Sequence, residues 1–313
     1  MALSYQGETE VSSAFSLIYG ADWTRETASY DNLPGGKANT EISGAFAQAL
    51  WAPTEQVDIS ATLRGDHNST FGTFTTGRLA VAWRPADGTT VRAALANGFR
   101  APSLDERFGD YPSQGFVGNP ALRPEESRSY ELGVEQEFAG GATLSVTAFR
   151  LEVSDLIRAT STFDTLENIT GVSTRQGVEF AASVPVGAAS TLGLSFTYTD
   201  AMRPGSTPGS AALRLTQVPR QDIALTLDSD LSDRLSAGVE IRRIGDRMDN
   251  DANTFALVEM PDVTVLNASA SFALTDRAEA YLRLENLTDA DYELADGYGT
   301  PGRSIYVGLR AKF

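Results

Sequence analysis

The sequence predicts an all-β fold: an antiparallel transmembrane up-and-down β-barrel, of which about 14 strands are present. Three observations carry that prediction. Apolar side chains recur at every second position in segment after segment, which is the period of a strand with one apolar face. No segment keeps a helical period over a useful length. The connections alternate between short turns and long polar loops, as they do where strands cross a membrane and return.

Taken in order, Phe15, Leu17, Tyr19, Ala21 and Trp23 oppose Ser16, Ile18, Gly20 and Asp22. Around 40–51 alanines occupy both parities and the phase is unclear. Val57, Ile59, Ala61 and Leu63 oppose Asp58, Ser60, Thr62 and Arg64; Leu79, Val81 and Trp83 follow, then Val91, Ala93 and Leu95. The clearest segment runs from Tyr130 through Leu132 and Val134 to Phe138, against Glu131, Glu135 and Glu137. Three glutamates on one strand face cannot line a dry core, so that face meets water. Leu144 and Val146 come next, with a phase slip near Ala148 and Phe149 that reads as a bulge. Further alternation is carried by Val178, Phe180 and Val184, by Leu192 to Tyr198, by Ile223 to Leu227, by Leu235, Val239 and Ile241, and by Leu282 and Leu284. The last segment is Ile305, Val307, Leu309, Ala311 and Phe313.

Short turns are expected near 52–54, 85–88, 140–141, 185–190, 229–233 and 275–277, and long loops near 27–38, 66–73, 100–125, 155–172, 201–212, 246–261 and 288–302. A soluble sandwich has no reason to alternate the two lengths at each step. Trp51, Trp83, Phe138 and Phe313 are placed for an aromatic girdle beside the short turns, and Trp23, Phe99 and Tyr198 for one towards the long loops.

A net charge of −16 argues against nucleic acid, whose phosphates it repels. The absence of cysteine removes disulfides and thiolate metal sites. The residues from Met1 to Glu8 have neither the basic nor the apolar region of a signal peptide, so none is expected in this chain.

Four motifs then point to a family. Asn97-Gly98-Phe99-Arg100-Ala101-Pro102-Ser103-Leu104-Asp105-Glu106 comes first; Gly118-Asn119-Pro120-Ala121-Leu122-Arg123-Pro124-Glu125 leads into Ser129-Tyr130-Glu131-Leu132-Gly133. Arg175-Gln176-Gly177-Val178-Glu179 and Glu285-Asn286-Leu287-Thr288-Asp289-Ala290-Asp291-Tyr292-Glu293 follow, with Gly297-Tyr298 and Pro301-Gly302-Arg303 behind. Their order resembles the mid-barrel and carboxy-terminal signatures of TonB-dependent outer-membrane receptors, nearest to the vitamin B12 and siderophore receptors. The resemblance implies a 22-stranded barrel filled by an amino-terminal plug with a TonB box. This chain is expected to be the carboxy-terminal barrel portion, 1–313, without plug or box. It implies a bacterial outer-membrane location and TonB-energised uptake of a scarce nutrient such as cobalamin or a ferric siderophore. Implied partners are outer-membrane lipid, the barrel-insertion machinery through the strand ending at Phe313, and the TonB system through a plug.

Candidate ligand contacts are the charged and aromatic residues of the 100–125 loop: Arg100, Asp105, Glu106, Arg107, Phe108, Tyr111 and Phe116. The same residues also suit packing the loop onto the rim, and Asn119, Pro120 and Pro124 read as structural. Asp246, Asp249 and Asp251, with Asn250 and Asn253, offer oxygen ligands of the kind Ca2+ takes, at a spacing that matches no calcium loop; Asp289 and Asp291 are weighed the same way. No resident cofactor is expected. Two rivals stand beside the receptor reading. One is a passive diffusion pore, with an even count of about 14 strands closing on itself. The other is an outer-membrane hydrolase built on the single histidine, His67; Asp66 beside it on a strand points to the opposite face, so the chain is not expected to be an enzyme.

Overall fold

In the computed structural model, which describes residues 1–33, 35–205 and 210–312, fifteen long strands succeed one another in chain order. They are β1 (Ala2–Ser12), β2 (Phe15–Ser29), β3 (Lys37–Thr54), β4 (Val57–Asn68), β5 (Gly72–Ala86), β6 (Thr89–Arg100), β7 (Glu125–Glu137), β8 (Thr143–Ser154), β9 (Val172–Val186), β10 (Ser190–Arg203), β11 (Gln221–Ser232), β12 (Leu235–Gly245), β13 (Val263–Thr275), β14 (Ala278–Glu285) and β15 (Ser304–Ala311). Each pairs with the strand next in sequence, and the short strand Leu213–Arg214 joins β10 to complete a 16-stranded sheet. The chain divides into two compact units, one of Met1–Leu132, Phe149–Arg175 and Met202–Leu213, the other of Gly133–Ala148, Gln176–Ala201 and Arg214–Phe313.

Within the first unit, β1 to β6 form successive antiparallel hairpins whose registers keep one parity apolar. Phe15 lies opposite Trp51, Trp51 opposite Ile59, and Val57 opposite Trp83, which faces Val91 in turn. The ring pairs sit beside the short turns, where the girdle was expected. On the same face Leu63, Leu79 and Leu95 are exposed, as are Tyr130 and Leu132 of β7. A water-soluble sheet does not leave such a continuous apolar surface bare; lipid accepts it.

The opposite face is polar and internally paired. Arg64 of β4 reaches Asp22 of β2 through both Nη atoms, at 2.7 and 2.9 Å, and Asp66 through Nε and Nη2, at 2.9 and 2.6 Å. Gly44 of β3 lies directly opposite Asp66. A Cβ there would come within 2.2 Å of Arg64 Nη2 and 2.4 Å of Asp66 Oδ1, so glycine is what leaves room for the clamp.

The second unit repeats the scheme. Across β10–β11–β12–β13, Leu194, Leu225, Ile241 and Leu266 stand in register on one parity, with Phe196 opposite Ile223 beside them. The other parity carries Arg242 with Asp222 and Asn267 with Glu240.

Among the described residues the long strands number fifteen, in keeping with about fourteen. Several expectations need correction. Segments 2–12 and 263–275 had no assigned alternation. In β1 the apolar residues Leu3, Tyr5 and Val11 are separated by Gly7 and Thr9. In β13 Val263, Val265 and Leu266 put apolar residues on both parities. In a sheet of successive hairpins, fifteen strands leave the first and last running the same way, so these two cannot pair antiparallel. The self-closed barrel argued from an even count therefore loses its basis. The 66–73 loop is a three-residue turn, because the Asn68 Oδ1 accepts from the backbone N–H groups of Thr70 and Phe71 and tightens it. No phase slip is needed in β8, where Val146, Ala148 and Arg150 stay exposed at alternate positions. The girdle residue Phe313 lies outside the described residues.

Replacing Arg64 with alanine strands Asp66, which is 4% exposed, without its cation. The cost is about 2 kcal/mol, below that of a fully buried pair because the Arg64 side chain keeps 29% exposure. The midpoint of heat-induced gel migration should fall for Arg64→Ala and recover in part for Arg64→Ala with Asp66→Asn.

Candidate ligand-binding loop cluster

The 101–124 segment begins with a local helix rather than an open loop. Ser103 accepts from the Glu106 N–H at 3.1 Å, and the Glu106 carboxylate accepts from the Ser103 N–H at 2.8 Å. This reciprocal capping box starts α1 (Leu104–Phe108), and Ser-x-x-Glu is its sequence signature. Arg100 at the end of β6 then ties α1 to the sheet. Its Nη1 donates to both Glu106 oxygens at 3.0 and 2.9 Å, and its Nε to Glu125 Oε2 at 2.6 Å. The second Glu125 oxygen accepts from the Ile157 N–H at 2.7 Å. Burial raises the Glu106 pKa, but Arg100 and the Ser103 donors outweigh it and hold the carboxyl below the usual range.

The prolyl stretch is a backbone clamp. The Asn119 amide donates to the Leu166 carbonyl and accepts from the Ala121 N–H. Asn168 closes the other side: its Oδ1 accepts from the Arg123 N–H, and its Nδ2 donates to the Arg123 and Asp155 carbonyls. Arg123 also pairs with Asp155. Pro120 sits in a turn closed by the Leu122 N–H on the Asn119 carbonyl at 3.2 Å, and Pro124 disfavours a helical Arg123 just before β7.

The remaining candidates gather on α1 and the segment after it. The Arg107 guanidinium lies 4.6 Å from the Phe108 ring centre and 5.1 Å from that of Phe71. Its Nε is buried without a hydrogen-bond partner, and burial lowers its pKa. Tyr30 packs against Phe108, and the Asn32 amide donates to the Phe108 carbonyl. Tyr111 packs against Phe116 and donates its hydroxyl to Asp105 at 2.7 Å, which pushes the Tyr111 pKa up. Of the seven sequence candidates, Arg100 and Glu106 are thus committed to the scaffold and Asp105 to Tyr111. Arg107, Phe108, Tyr111 and Phe116 present the chemistry that remains. Sequence reasoning missed Tyr30, Asn32 and Phe71. They lie in other connections, and only their aromatic or amide character in a polar loop hinted at them.

The acidic candidates lie in the second unit, and Asp246, Asp249, Asp251 and Asp289 are engaged by protein donors. Asp246 pairs with Arg214 and Arg220; burial raises its pKa, and these two cations bring it below the ordinary value. Asp249 accepts from the N–H groups of Asn250 and Asp296. Asp251 accepts from the Asn253 and Thr254 N–H groups and the Thr254 hydroxyl. Asp289 accepts from the Arg303 N–H at 2.8 Å. Among the described residues no three His, Cys, Asp or Glu side chains form a metal-sized group. Asn286 is almost fully buried; its amide donates to the Ala290 and Pro301 carbonyls and accepts from the Ala290 N–H, folding the loop over itself. The left-handed φ of Asn286 and Asp289, +50° and +54°, suits residue types that tolerate that region. His67 is exposed with Nδ1 at 3.1 Å from Thr73 Oγ1, while Asp66 on the other face is held by Arg64.

The family described as TonB dependent receptor-like, beta-barrel matches residues 2–287. The vitamin B12 transporter BtuB of Vibrio cholerae serotype O1 is 27% identical over 305 residues, 97% of this chain and 47% of its own length. A ferric enterobactin receptor of Pseudomonas aeruginosa superposes with a TM-score of 0.80 at 18% identity, covering 100% of this chain and 54% of that one. The siderophore receptor PirA of the same organism does so at 0.78 and 22%, covering 100% and 55%. The chain spans about half the length of the relatives it matches.

Because the folded-state pKa values of Glu106 and Asp246 are depressed, their contribution is complete above the ordinary carboxylate pKa and is lost as pH falls through the folded values. Hydrogen exchange in 101–125 and 246–261 should be flat from pH 8 to about 5 after correction for intrinsic rates, then rise below about pH 4. For Glu106→Gln the rise in 101–125 should be smaller, from a baseline already less protected.

Proposed function

This chain belongs to the TonB-dependent receptor β-barrel family, and we propose that it forms the wall and ligand-facing loops of an outer-membrane receptor. On this reading it takes up a scarce nutrient, cobalamin or a ferric siderophore, with energy delivered by the TonB system. The observation that carries the proposal is the family match over 2–287, most of the chain. The loop cluster supports it: Arg107 is flanked by two phenyl rings, with Tyr30, Tyr111 and Phe116 beside them. Flat rings and a cation in one rim cluster bind a rigid, partly aromatic ligand through stacking and charge-assisted hydrogen bonds. The names of the relatives, a vitamin B12 transporter and ferric siderophore receptors, bound the ligand class. The polar strand faces, laced by pairs such as Arg64–Asp22 and Arg242–Asp222, then line the lumen side and give a wet surface to the path inward.

The test is uptake in a host lacking its own cobalamin and siderophore receptors and carrying the full receptor gene to which this chain belongs. Growth on one of these nutrients, abolished by loss of TonB, is the expected result. Growth that ignores TonB and scales with solute size would replace the receptor by the diffusion pore, and no growth on either nutrient would overturn the ligand assignment. Arg107→Ala should raise the half-saturating ligand concentration about tenfold, the loss of one charge-assisted contact. The amount of protein in the outer membrane should not change.

A further inference from the structure

Three connections of the second unit are fastened to one another. After β12 the chain forms a short hairpin that pairs Arg247–Asn250 with Leu257–Met260. After β14 it forms another, with Glu293 opposite Gly299 and Ala295 opposite Tyr298. Hairpins this short are marginal by themselves and need packing against a neighbour. The segment 214–220, ahead of β11, meets the first of them: the Gln217 N–H donates to the Met248 carbonyl at 2.8 Å and the Arg220 N–H to the Asp246 carbonyl at 3.1 Å.

Arg247 and Asp249 stand two positions apart on a strand, so they share a face, and each is only 4% exposed. Arg247 donates Nη1 to the Leu294 carbonyl, and Nη2 to the carbonyls of Glu293 and Pro261, all at 3.1 Å. Its Nε is buried without a partner. Asp249 accepts from the Asp296 N–H at 3.0 Å, and the Gln217 amide lies 3.4 Å from both of its oxygens. Among the described residues neither side chain meets an opposite charge. Burying two charges against neutral groups is costly, and here those groups belong largely to neighbouring segments. The tips touch as well. The Ala252 N–H donates to the Asp296 carboxylate at 2.7 Å, and a Cβ on Gly297 would come within 2.9 Å of the Ala252 Cβ.

The second hairpin also walls a cleft. Tyr292 and Leu294 line about 240 Å³ together with Ile244 of β12 and Val263 and Val265 of β13. Leu294 therefore serves both purposes: its carbonyl is held by Arg247 and its side chain closes the cleft.

We propose that Arg247 and Asp249 are the latch of a three-segment lid whose 292–300 part closes this cleft. Releasing the latch frees 214–220, 247–260 and 292–300 together, because each segment leans on the same two side chains. A guanidinium suits the task, since its two arms reach carbonyls in separate segments at once.

The test is hydrogen exchange on the full receptor to which this chain belongs, purified in detergent. Arg247→Ala and Asp249→Ala should each speed exchange at least about tenfold in all three segments, while the β12–β13 ladder keeps the parent rate. Arg247→Lys should recover little, because an ammonium lacks the fork. The Asp251 carboxylate accepts only within its own turn, from Asn253 and Thr254, so Asp251→Ala should speed exchange in that turn alone. Acceleration confined to 247–260, the same three-segment spread in Asp251→Ala, or a ladder that loosens along with the segments overturns the inference. Each of those results leaves the receptor reading intact.

Discussion

A strand that crosses hydrocarbon has no water to satisfy its backbone, so every N–H and C=O must find a neighbouring strand while one whole face stays apolar. That double demand accounts for most of this chain. It explains why strand follows strand with pairing only to the next in sequence, since each hairpin supplies its neighbour's hydrogen bonds at once. It also explains why Leu63, Leu95 and Leu132 lie bare on one parity when a soluble protein would cover them. The same demand limits charge to the other parity or to the ends. Asp22, Arg64 and Asp66 obey the first option and Arg128 the second.

The polar face has its own constraint. Charged groups packed on adjacent strands must be mutually satisfied, or each pays for desolvation alone. Arg64 answers with two bidentate contacts, and Gly44 is small because the clamp fills the volume a side chain would take. Loop carboxylates follow the same logic at the rim. Glu125 divides its two oxygens between Arg100 and the Ile157 N–H, and Asp246 shares Arg214 and Arg220. Glu106, Glu125 and Asp246, which look free in one dimension, are held by protein cations in three.

The strand pattern was legible because a period of two survives wherever one face is lipid. It faded where small residues dilute the apolar parity, as in β1, or where both parities carry branched residues, as at the start of β13. The turn at 69–71 was misjudged as a loop, because the tightening comes from one amide, Asn68, capping two backbone donors. At the site the motifs were visible and their work was not. Ser103 and Glu106 spelled a capping box, and Asn119 and Asn286 sat in recognisable strings, but which distant carbonyls those asparagines reach is set by tertiary placement. The meeting of Arg107 with Phe71 and of Asn32 with Phe108 joins segments tens of residues apart. No local period records such contacts.

These roles divide the chain into parts with different freedom. Asn97, Ser103, Asn119 and Asn286 bond to main-chain atoms, whose positions depend on the sheet and not on what is transported. Other side chains hold no strand or loop stem together: Arg107, whose Nε has no partner, and the rings of Phe71 and Phe108 beside it. Changing them leaves the ladder untouched. A large difference in ligand is therefore compatible with the low identity and shared fold that relate this chain to cobalamin and siderophore receptors alike.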